Sequence, residues 1–342
     1  MCSIKKHIFA YDPLIMHKIS AILAGIVLIG QVAYAQTEQV DTLIASKIVS
    51  AVEREAFSVK HVDAEVARKV VTPLGEGDIV KYVQTLPGVS SGAEGFSSYY
   101  AHGGNQGNNL ILLDGNPLYG SGHILGLTTS YSTMIVSDSY FRMGGFEGTE
   151  SNMLSSVIGI TTTDGNFEKT GVQATASNFL VGGQITAPLK RDRCSFVLTG
   201  RISPIGMEYG LLKSMLDKSD YDFPDEVGAT AYDVQGKLTY KISEKSKLTF
   251  STFYSRDKYN YSLDADGMDE MGWDNLISYM LYERVMPKDW RFNARAAYNR
   301  YSSIQSQYRN MGGVDNKYDI SSMLQEGTVA AGFTKDKLKY DH

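Results

Sequence analysis

Residues 99–145 read YYAHGGNQGNNLILLDGNPLYGSGHILGLTTSYSTMIVSDSYFRMGG, and the interpretation of the chain starts from this stretch. Two short apolar runs, at 110–113 and 134–136, lie among turns rich in glycine, asparagine and serine, and no helical period is sustained. The Asp114-Gly115 step after the first run is a strong hairpin signal, because glycine accepts the positive φ that the turn needs. The pattern predicts short strands and tight turns, as in an enzyme's phosphate loop, a repeat protein or a compact plug.

The overall composition narrows the class of protein. The 342 residues leave room for two domains, and 21% charged residues with a net charge of −5 offer no basic surface for nucleic acid. The 22 tyrosines and 33 glycines are typical both of extracellular β proteins and of outer-membrane barrels. Of the two cysteines, Cys2 and Cys194, only one would remain after N-terminal processing. We therefore expect no nucleic-acid partner and no intramolecular disulfide.

The N-terminus has the pattern of an export signal. Residues 1–35 are predicted to be a presequence, of which 16–35 form a signal peptide with an apolar run at 19–29. The small residues that end at Ala35 predict cleavage before Gln36. The run is shorter than the roughly 20 residues of a spanning helix, and a signal anchor is the alternative. We expect an exported protein without a transmembrane helix.

The mature chain divides into three parts. Residues 36–56 are predicted to be a flexible periplasmic segment whose β-prone hexamer, 40–45, matters only if a partner adds a strand to it. Residues 57–168 predict a small α+β domain with a strand at 58–62, a short helix at 64–70, a second helix capped by Asp78, and a strand at 155–163. Residues 169–342 predict an antiparallel sheet.

Period-2 alternation dominates this third part. In 232–243, Val234 and Leu238 share one face, while Asp233 and Lys237 share the other. The runs 247–257 and 290–298 repeat the pattern, with Phe253 as an exception on the polar face. The charged face, the aromatic residues near strand ends and the alternation of short with long connections favour a membrane barrel over a soluble sandwich.

Seven strands are predicted, and an eighth begins at Lys337. The strands are expected near 173–189, 194–203, 232–243, 246–257, 273–286, 289–302 and 319–334, with long polar connections at about 204–230, 257–272 and 303–318.

At this point the motifs resemble a known family. The order of signal peptide, helix ending in LPGV, glycine-rich loop, NLILLDGNPLYG, GGF and SSVIGITTTDGN is similar to the plug domain of TonB-dependent outer-membrane receptors, in the version typical of Bacteroidota. SFVLTGRISPIGMEYGLL and YDVQGKLTYKISEKSKLTFSTFYSRDKY resemble the first barrel strands of the same receptors. The resemblance runs from about residue 57 to the C-terminus. It implies an α+β plug followed by about 7–8 strands of an antiparallel transmembrane β-barrel of about 22.

The resemblance also implies a function. Such a receptor imports a scarce solute (a siderophore, cofactor, glycan or peptide) across the bacterial outer membrane by an energy-coupled rearrangement of its plug. Its implied partners are the TonB-ExbB-ExbD complex, outer-membrane lipid and, in related receptors, a surface lipoprotein. TonB pairs with a short N-terminal segment, and this chain lacks the usual valine-rich core there. The candidate TonB box consists of Asp41, Thr42, Leu43, Ile44 and Ala45.

Two sets of plug residues are singled out. The LILLDG motif predicts a plug core made of Leu110, Ile111, Leu112, Leu113, Asp114 and Gly115. The plug loops predict a ligand surface, with plug–wall packing as an equal alternative, made of Tyr99, Tyr100, His102, Gly103, Gly104, Asn105, Tyr119 and Tyr131. The family commonly has Arg at the position of His102, and a neutral imidazole cannot replace guanidinium contacts, so the ion pairing of plug to barrel through that position is in doubt.

No motif for catalysis or metal binding is present. The Gly103–Gly107 region matches neither phosphate-loop pattern. His102, His123 and Asp114 lack metal-ligand spacing, and no GxSxG occurs. We expect neither an enzyme nor a cofactor.

The length sets a last constraint. Residues 171–342 suffice for about eight strands, and an open sheet in lipid leaves costly unpaired backbone groups. We expect a fragment of a longer receptor. The alternatives are a truncated product that cannot transport, a natural eight-stranded barrel too narrow for a plug, and a surface-binding β protein.

Overall fold

The structure is a computed structural model, and it describes residues 59–62, 66, 70, 77–92, 97–144, 146, 154–177, 180–203, 205–206, 226–264, 267–311 and 314–335. The predicted signal peptide with its cleavage site, the TonB box, most of the helix predicted at 64–70 and the strand predicted from Lys337 lie outside these residues. None of the helices that the structure describes is both long and apolar enough to cross a membrane.

Residues 59–168, which we call the plug segment, are built on a five-stranded sheet with the order β1-β8-β9-β4-β5. Strands β4 and β9 run parallel in its centre, and the other pairs are antiparallel. The central strands are buried along most of their length, as the apolar runs LILL and VIGI require. The strands are β1 (Val59–His61), β4 (Asn109–Leu113), β5 (Asn116–Pro117), β8 (Val136–Arg142) and β9 (Ser156–Thr162).

A short helix, α1 (Ile79–Val83), packs its apolar side into the plug core. Asp78 caps it as predicted, since its Oδ1 accepts hydrogen bonds from the amides of Val80 (2.7 Å) and Lys81 (3.3 Å). The chain then reverses at Gly88, which has a φ of 83°. Two small antiparallel pairs complete the segment: β2 (Val89–Ser91) with β3 (Tyr99–Ala101), and β6 (Gly122–His123) with β7 (Thr128–Thr129).

The hairpin predicted at Asp114-Gly115 is confirmed. Leu113 pairs with Asn116, and the two turn residues have φ values of 48° and 71°. Both values are positive, as in the turn type that matches the twist of two-residue hairpins. The turn places Asp114 at the edge of the plug segment.

Eight antiparallel strands, joined in sequence order, form the second sheet, which we call the barrel sheet. The antiparallel partial barrel expected from the alternation is confirmed. The strands are β10 (Gly171–Ala176), β11 (Val181–Lys190), β12 (Cys194–Ile202), β13 (Glu226–Ser243), β14 (Ser246–Asp264), β15 (Gly267–Val285), β16 (Trp290–Met311) and β17 (Val314–Lys335).

Several predicted strand limits are wrong. The run 173–189 is two strands, β10 and β11, rather than one. The polar stretches 257–272 and 303–318 are the paired ends of long strands, and β13 begins inside the connection predicted at 204–230. A strand can continue wherever a neighbouring strand supplies backbone hydrogen bonds. The polarity of its side chains shows only whether they face a polar or an apolar environment. Polar composition therefore predicted loops where the sheet extends.

The two faces of the barrel sheet differ as predicted. On β13, Asp233 is 3% exposed and Gln235 4%, whereas the apolar Val234 between them is 39% exposed. The polar face is thus covered by the plug segment, and the apolar face points away from it. Phe253, the exception in the pattern, is 2% exposed because it joins Ile277 in the apolar core of the plug segment.

Phe253 and Phe250 form a matched pair on opposite faces of β14, with exposures of 2% and 52%. We expect Phe253→Ala to lower the free energy of local opening of the plug core by about 3 kcal/mol, because a buried ring leaves a cavity. Amide hydrogen exchange of the peptide containing α1, with the chain in detergent, measures this free energy. Phe250→Ala is the control and should leave it unchanged; equal effects of the two variants would contradict the packing.

Candidate functional site

The candidate site is the interface between the plug segment and the polar face of the barrel sheet. Its buried polar contacts form two groups at different heights along the strands. The first, which we call the Asp114 layer, lies nearer the short turns at 244–245 and 286–289. The second, which we call the His123 layer, lies farther along the same strands. Each layer joins a plug hairpin to several barrel strands.

In the Asp114 layer, one carboxylate serves both the plug and the wall. Asp114 Oδ1 accepts a hydrogen bond from the Thr162 amide at 2.8 Å, and Oδ2 accepts one from the Thr162 hydroxyl at 2.6 Å. Oδ2 also accepts from the hydroxyl of Tyr279 on β15 at 2.8 Å. Arg295 on β16 donates to the Asp114 backbone carbonyl. The turn of the β4–β5 hairpin is therefore fixed from both sides.

Asp164 extends this layer toward the short turns. Lys237 Nζ lies 3.1 Å from Asp164 Oδ1 and donates to the Thr162 carbonyl at 2.9 Å. Lys247 Nζ lies 2.9 Å from Asp164 Oδ2. Burial disfavours the ionised carboxyl, but the two ammonium groups outweigh burial and hold the pKa of Asp164 below its ordinary value. The carboxylate is therefore ionised at neutral pH.

The His123 layer contains four ionisable side chains that are almost completely buried. His123 Nδ1 lies 2.6 Å from Asp257 Oδ2, and His123 Nε2 lies 3.3 Å from Asp233 Oδ2. Arg201 Nε donates to the same Asp233 oxygen at 2.8 Å. Arg201 also donates to the Thr129 carbonyl at 2.9 Å, so it bonds to the plug directly. The β6–β7 hairpin is thereby attached to β12, β13 and β14.

At the height of the His123 layer and between the two layers, further side chains of the wall bind plug carbonyls. Trp273 Nε1 donates to the Gly122 carbonyl at 3.2 Å, Asn275 to Gly120 at 3.3 Å, and Asn299 to Pro117 at 3.0 Å. Gly120 has a φ of 52°, and a Cβ there would lie 2.6 Å from the Tyr301 ring. Residues 117–122 thus lie flat on the wall.

The predicted core motif and the predicted ligand surface have different outcomes. The side chains of 110–113 are buried, as the motif predicted, whereas Asp114 is half-buried and Gly115 is exposed at the turn, so Gly115 is wrong as a core position. Tyr99 and Tyr131 are 3% and 0% exposed, so these two positions are wrong as ligand surface; both rings pack in the core of the plug segment. The exposed positions of the set are Tyr100, His102, Gly103 and Asn105. Gly104 and Tyr119 are half-buried. The Tyr119 ring packs on Tyr301, with ring centroids 6.1 Å apart.

Sequence reasoning missed the partners of His123. His102 is exposed and is not part of either layer, and no metal-binding group of His, Cys, Asp or Glu occurs in the described part of the chain. The inward position of Asp233 followed from the alternation, whereas Asp257 stands at the start of a stretch that was predicted to be a connection. Their pairing with a plug histidine did not, since sequence separations of 110 and 134 residues carry no local signal.

Comparison with known proteins gives a match at the level of structure. No protein-family model and no curated protein matches the sequence. The siderophore receptor PirA from Acinetobacter baumannii is similar over 81% of this chain and 45% of its own, with 15% identity and a TM-score of 0.55. The copper transporter OprC is similar over 82% of this chain and 44% of its own, with 13% identity and a TM-score of 0.54. The chain thus spans less than half the length of these two proteins.

Asp114→Asn tests the role of the carboxylate, since asparagine tolerates the positive φ of this turn. One of the two oxygens becomes an amide donor facing hydroxyl groups. We expect the free energy of local opening of the 109–117 hairpin, measured by hydrogen exchange, to fall by about 1.5–3 kcal/mol. Asp138→Asn, on the exposed side of β8, is the matched control and should change nothing. An unchanged opening free energy in Asp114→Asn would show that the wall contacts do not hold the hairpin.

Proposed function

We propose that this chain, whose fold is that of TonB-dependent outer-membrane receptors, belongs to a receptor that binds a scarce solute outside the cell and imports it. The observation that carries the proposal is the plug segment lying on the polar face of a barrel sheet whose other face is apolar. The plug is held there by hydrogen bonds and ion pairs that water can replace. Binding and import, rather than catalysis, are what this arrangement serves.

The apolar face supports a place in the outer membrane. One row across five strands consists of Leu238, Phe250, Met280, Ala296 and Val329, which are direct neighbours in the sheet. All four of the large side chains in this row are well exposed. Lipid tails are the natural environment for such a face, with the polar face turned to the lumen.

We propose that the chain consists of a signal peptide, a periplasmic segment, a plug and part of a barrel. Residues 57–168 form the plug, 169–342 the N-terminal part of the barrel, and 36–56 a periplasmic segment that follows a cleaved signal peptide, 16–35. The described strands leave β10 and β17 at open edges, and the two similar proteins are about twice as long. These observations support the proposal that the chain is the N-terminal part of a longer receptor, with about 14 further strands in a barrel of about 22.

Energy coupling would act through the plug. The TonB-ExbB-ExbD complex is the partner, and 41–45 is the segment that TonB pairs with as an added strand. The wall facing the plug is polar, so a moving plug exchanges protein hydrogen bonds for water at a net cost of about 0.5–1.5 kcal/mol each. A lumen with an apolar wall would oppose that movement far more strongly.

The proposed solute is a siderophore, cofactor, glycan or peptide. The exposed plug positions Tyr100, His102, Gly103 and Asn105, with the half-buried Gly104 and Tyr119, form the proposed solute surface. A surface lipoprotein would complete the assembly in the manner of related receptors.

Met280→Arg tests the membrane assignment. An arginine facing the lipid near the middle of the bilayer costs about 2–4 kcal/mol. We expect the amount of chain recovered in the outer-membrane fraction to fall severalfold, while the control Met280→Leu behaves like the wild type. Recovery of the arginine variant at wild-type level would argue for a solvent-exposed sheet and against the proposal.

Leu43→Cys tests the contact with TonB. In a Cys194→Ser background, we expect it to form a disulfide with a single-cysteine TonB periplasmic domain, because paired strands bring side chains within bonding distance. Ser50→Cys, outside the candidate box, is the matched control. Gel analysis of the cross-linked product measures the difference. Equal cross-linking at both positions would reject 41–45 as the TonB box without affecting the membrane assignment.

A further inference from the structure

The β6–β7 hairpin is attached to the wall through a buried histidine, His123. Its turn is a short helical segment, Ile124–Gly126, that directly follows His123. His123 is completely buried, and it faces Asp233 on β13 and Asp257 on β14. The other ionisable groups of the layer are Arg201 on β12, which pairs with Asp233, and Tyr259, which donates to Asp257.

The contacts of the two ring nitrogens indicate the protonation state of His123. Each of the two ring nitrogens faces a carboxylate oxygen, at 2.6 and 3.3 Å. A neutral imidazole has one N–H, so its other nitrogen would turn a lone pair toward a carboxylate. The imidazolium ion donates from both nitrogens and satisfies both contacts. The positions of the two carboxylates therefore favour the protonated ring.

The charge balance of the buried cluster also favours the protonated form of His123. With His123 protonated, two positive groups (His123 and Arg201) face two carboxylates (Asp233 and Asp257), and the buried cluster is neutral. All four side chains are at most 3% exposed. Loss of the proton leaves one negative charge uncompensated in a site that water hardly reaches, and such a site is strongly destabilised.

The backbone next to His123 is strained. Ile124 and Leu125 have φ values of 54° and 57°, in the left-handed region that a β-branched residue such as isoleucine rarely adopts. Two bonds from the wall hold this turn: Ile124 N–H donates to Asp257 Oδ1 at 3.1 Å, and Leu125 N–H donates to the Tyr259 hydroxyl at 3.1 Å. Tyr259 in turn donates to the same Asp257 oxygen at 2.6 Å. The carboxylate that binds His123 therefore also maintains the strained turn.

We propose that His123 is a proton-operated latch: its imidazolium holds the 122–129 hairpin against β12–β14, and loss of the proton releases the hairpin from the wall. Release also lets the strained turn relax, so the hairpin has two states that differ by one proton. The latch concerns the docking of the hairpin and does not depend on which solute, if any, the receptor imports.

The direction of the pH dependence follows from linkage. Burial disfavours the charged ring, but the two carboxylates outweigh burial and raise the pKa of His123 above its ordinary value. A raised pKa in the docked state means that docking is fully stabilised below the ordinary value of 6.5 and loses this stabilisation as the pH rises through the raised pKa. The latch thus opens toward alkaline pH.

Hydrogen exchange of the whole chain in detergent, followed by mass spectrometry, tests the latch. The readout is the opening equilibrium of peptides covering 122–129, corrected for the intrinsic pH dependence of exchange, between about pH 5.5 and 9. We expect a flat profile below about pH 6.5, then an increase of up to tenfold per pH unit as far as the raised pKa of the docked ring, and a plateau above it. His123→Gln, which cannot carry the proton, should open more at low pH and show a flat profile throughout.

Two further variants decide the outcome even if His123→Gln does not fold. His102→Gln changes the exposed plug histidine and should keep the wild-type profile. Asp233→Asn removes one of the facing carboxylates and so lowers the pKa of the docked ring, which means that the increase should end at a lower pH and be smaller in total. A flat wild-type profile, an increase that persists in His123→Gln, or an increase of unchanged extent in Asp233→Asn would each overturn the proposal. None of these results depends on import, so the latch and the proposed function can fail separately.

Discussion

Every charge on the inner face of the barrel sheet has to be neutralised or hydrated, and the plug segment is what covers that face. Lys237 is buried because Asp164 and the Thr162 carbonyl face it, and Asp233 is buried because Arg201 and His123 do. A buried ion without a partner costs several kcal/mol, so the two sheets are matched charge by charge. Apolar contact with the wall adds to this matching at two places: Phe253 and Ile277 join the plug core, and Ile124 packs with Leu180 and Ala231.

The sequence predicted those features that have a local signature. Alternation along 232–243 assigned the inner and outer faces correctly, because side chains of a strand alternate strictly. Asp78 and the Asp114-Gly115 turn were predicted from capping and turn chemistry, which act within a few residues. Strand ends could not be predicted, because the pairing of β14 with β15 as far as Asp264 and Gly267 depends on a neighbouring strand rather than on polarity.

In the candidate site, contacts between residues far apart in the sequence could not be predicted either. Tyr131 looked like an aromatic loop residue, and only the packed structure reveals that it belongs to the core. His123 was visible as a titratable residue, but its role depends on two carboxylates far away in the sequence. Phe253 broke the alternation, and the break marked a real contact. Deviations from a pattern were thus more informative about the interface than the pattern itself.

The order of the plug sheet has a mechanical consequence. Strand β1 lies at one edge and the β4–β5 hairpin at the other, with β8 and β9 between them. Tension applied to the chain before Val59 first loads β1, a strand of three paired residues. The Asp114 layer at the far edge is loaded last, and Asp114 keeps its two bonds to Thr162 within the sheet when the bonds to Tyr279 and Arg295 are lost. The plug therefore yields from the edge nearest the N-terminus, while its opposite edge keeps its own hydrogen bonds.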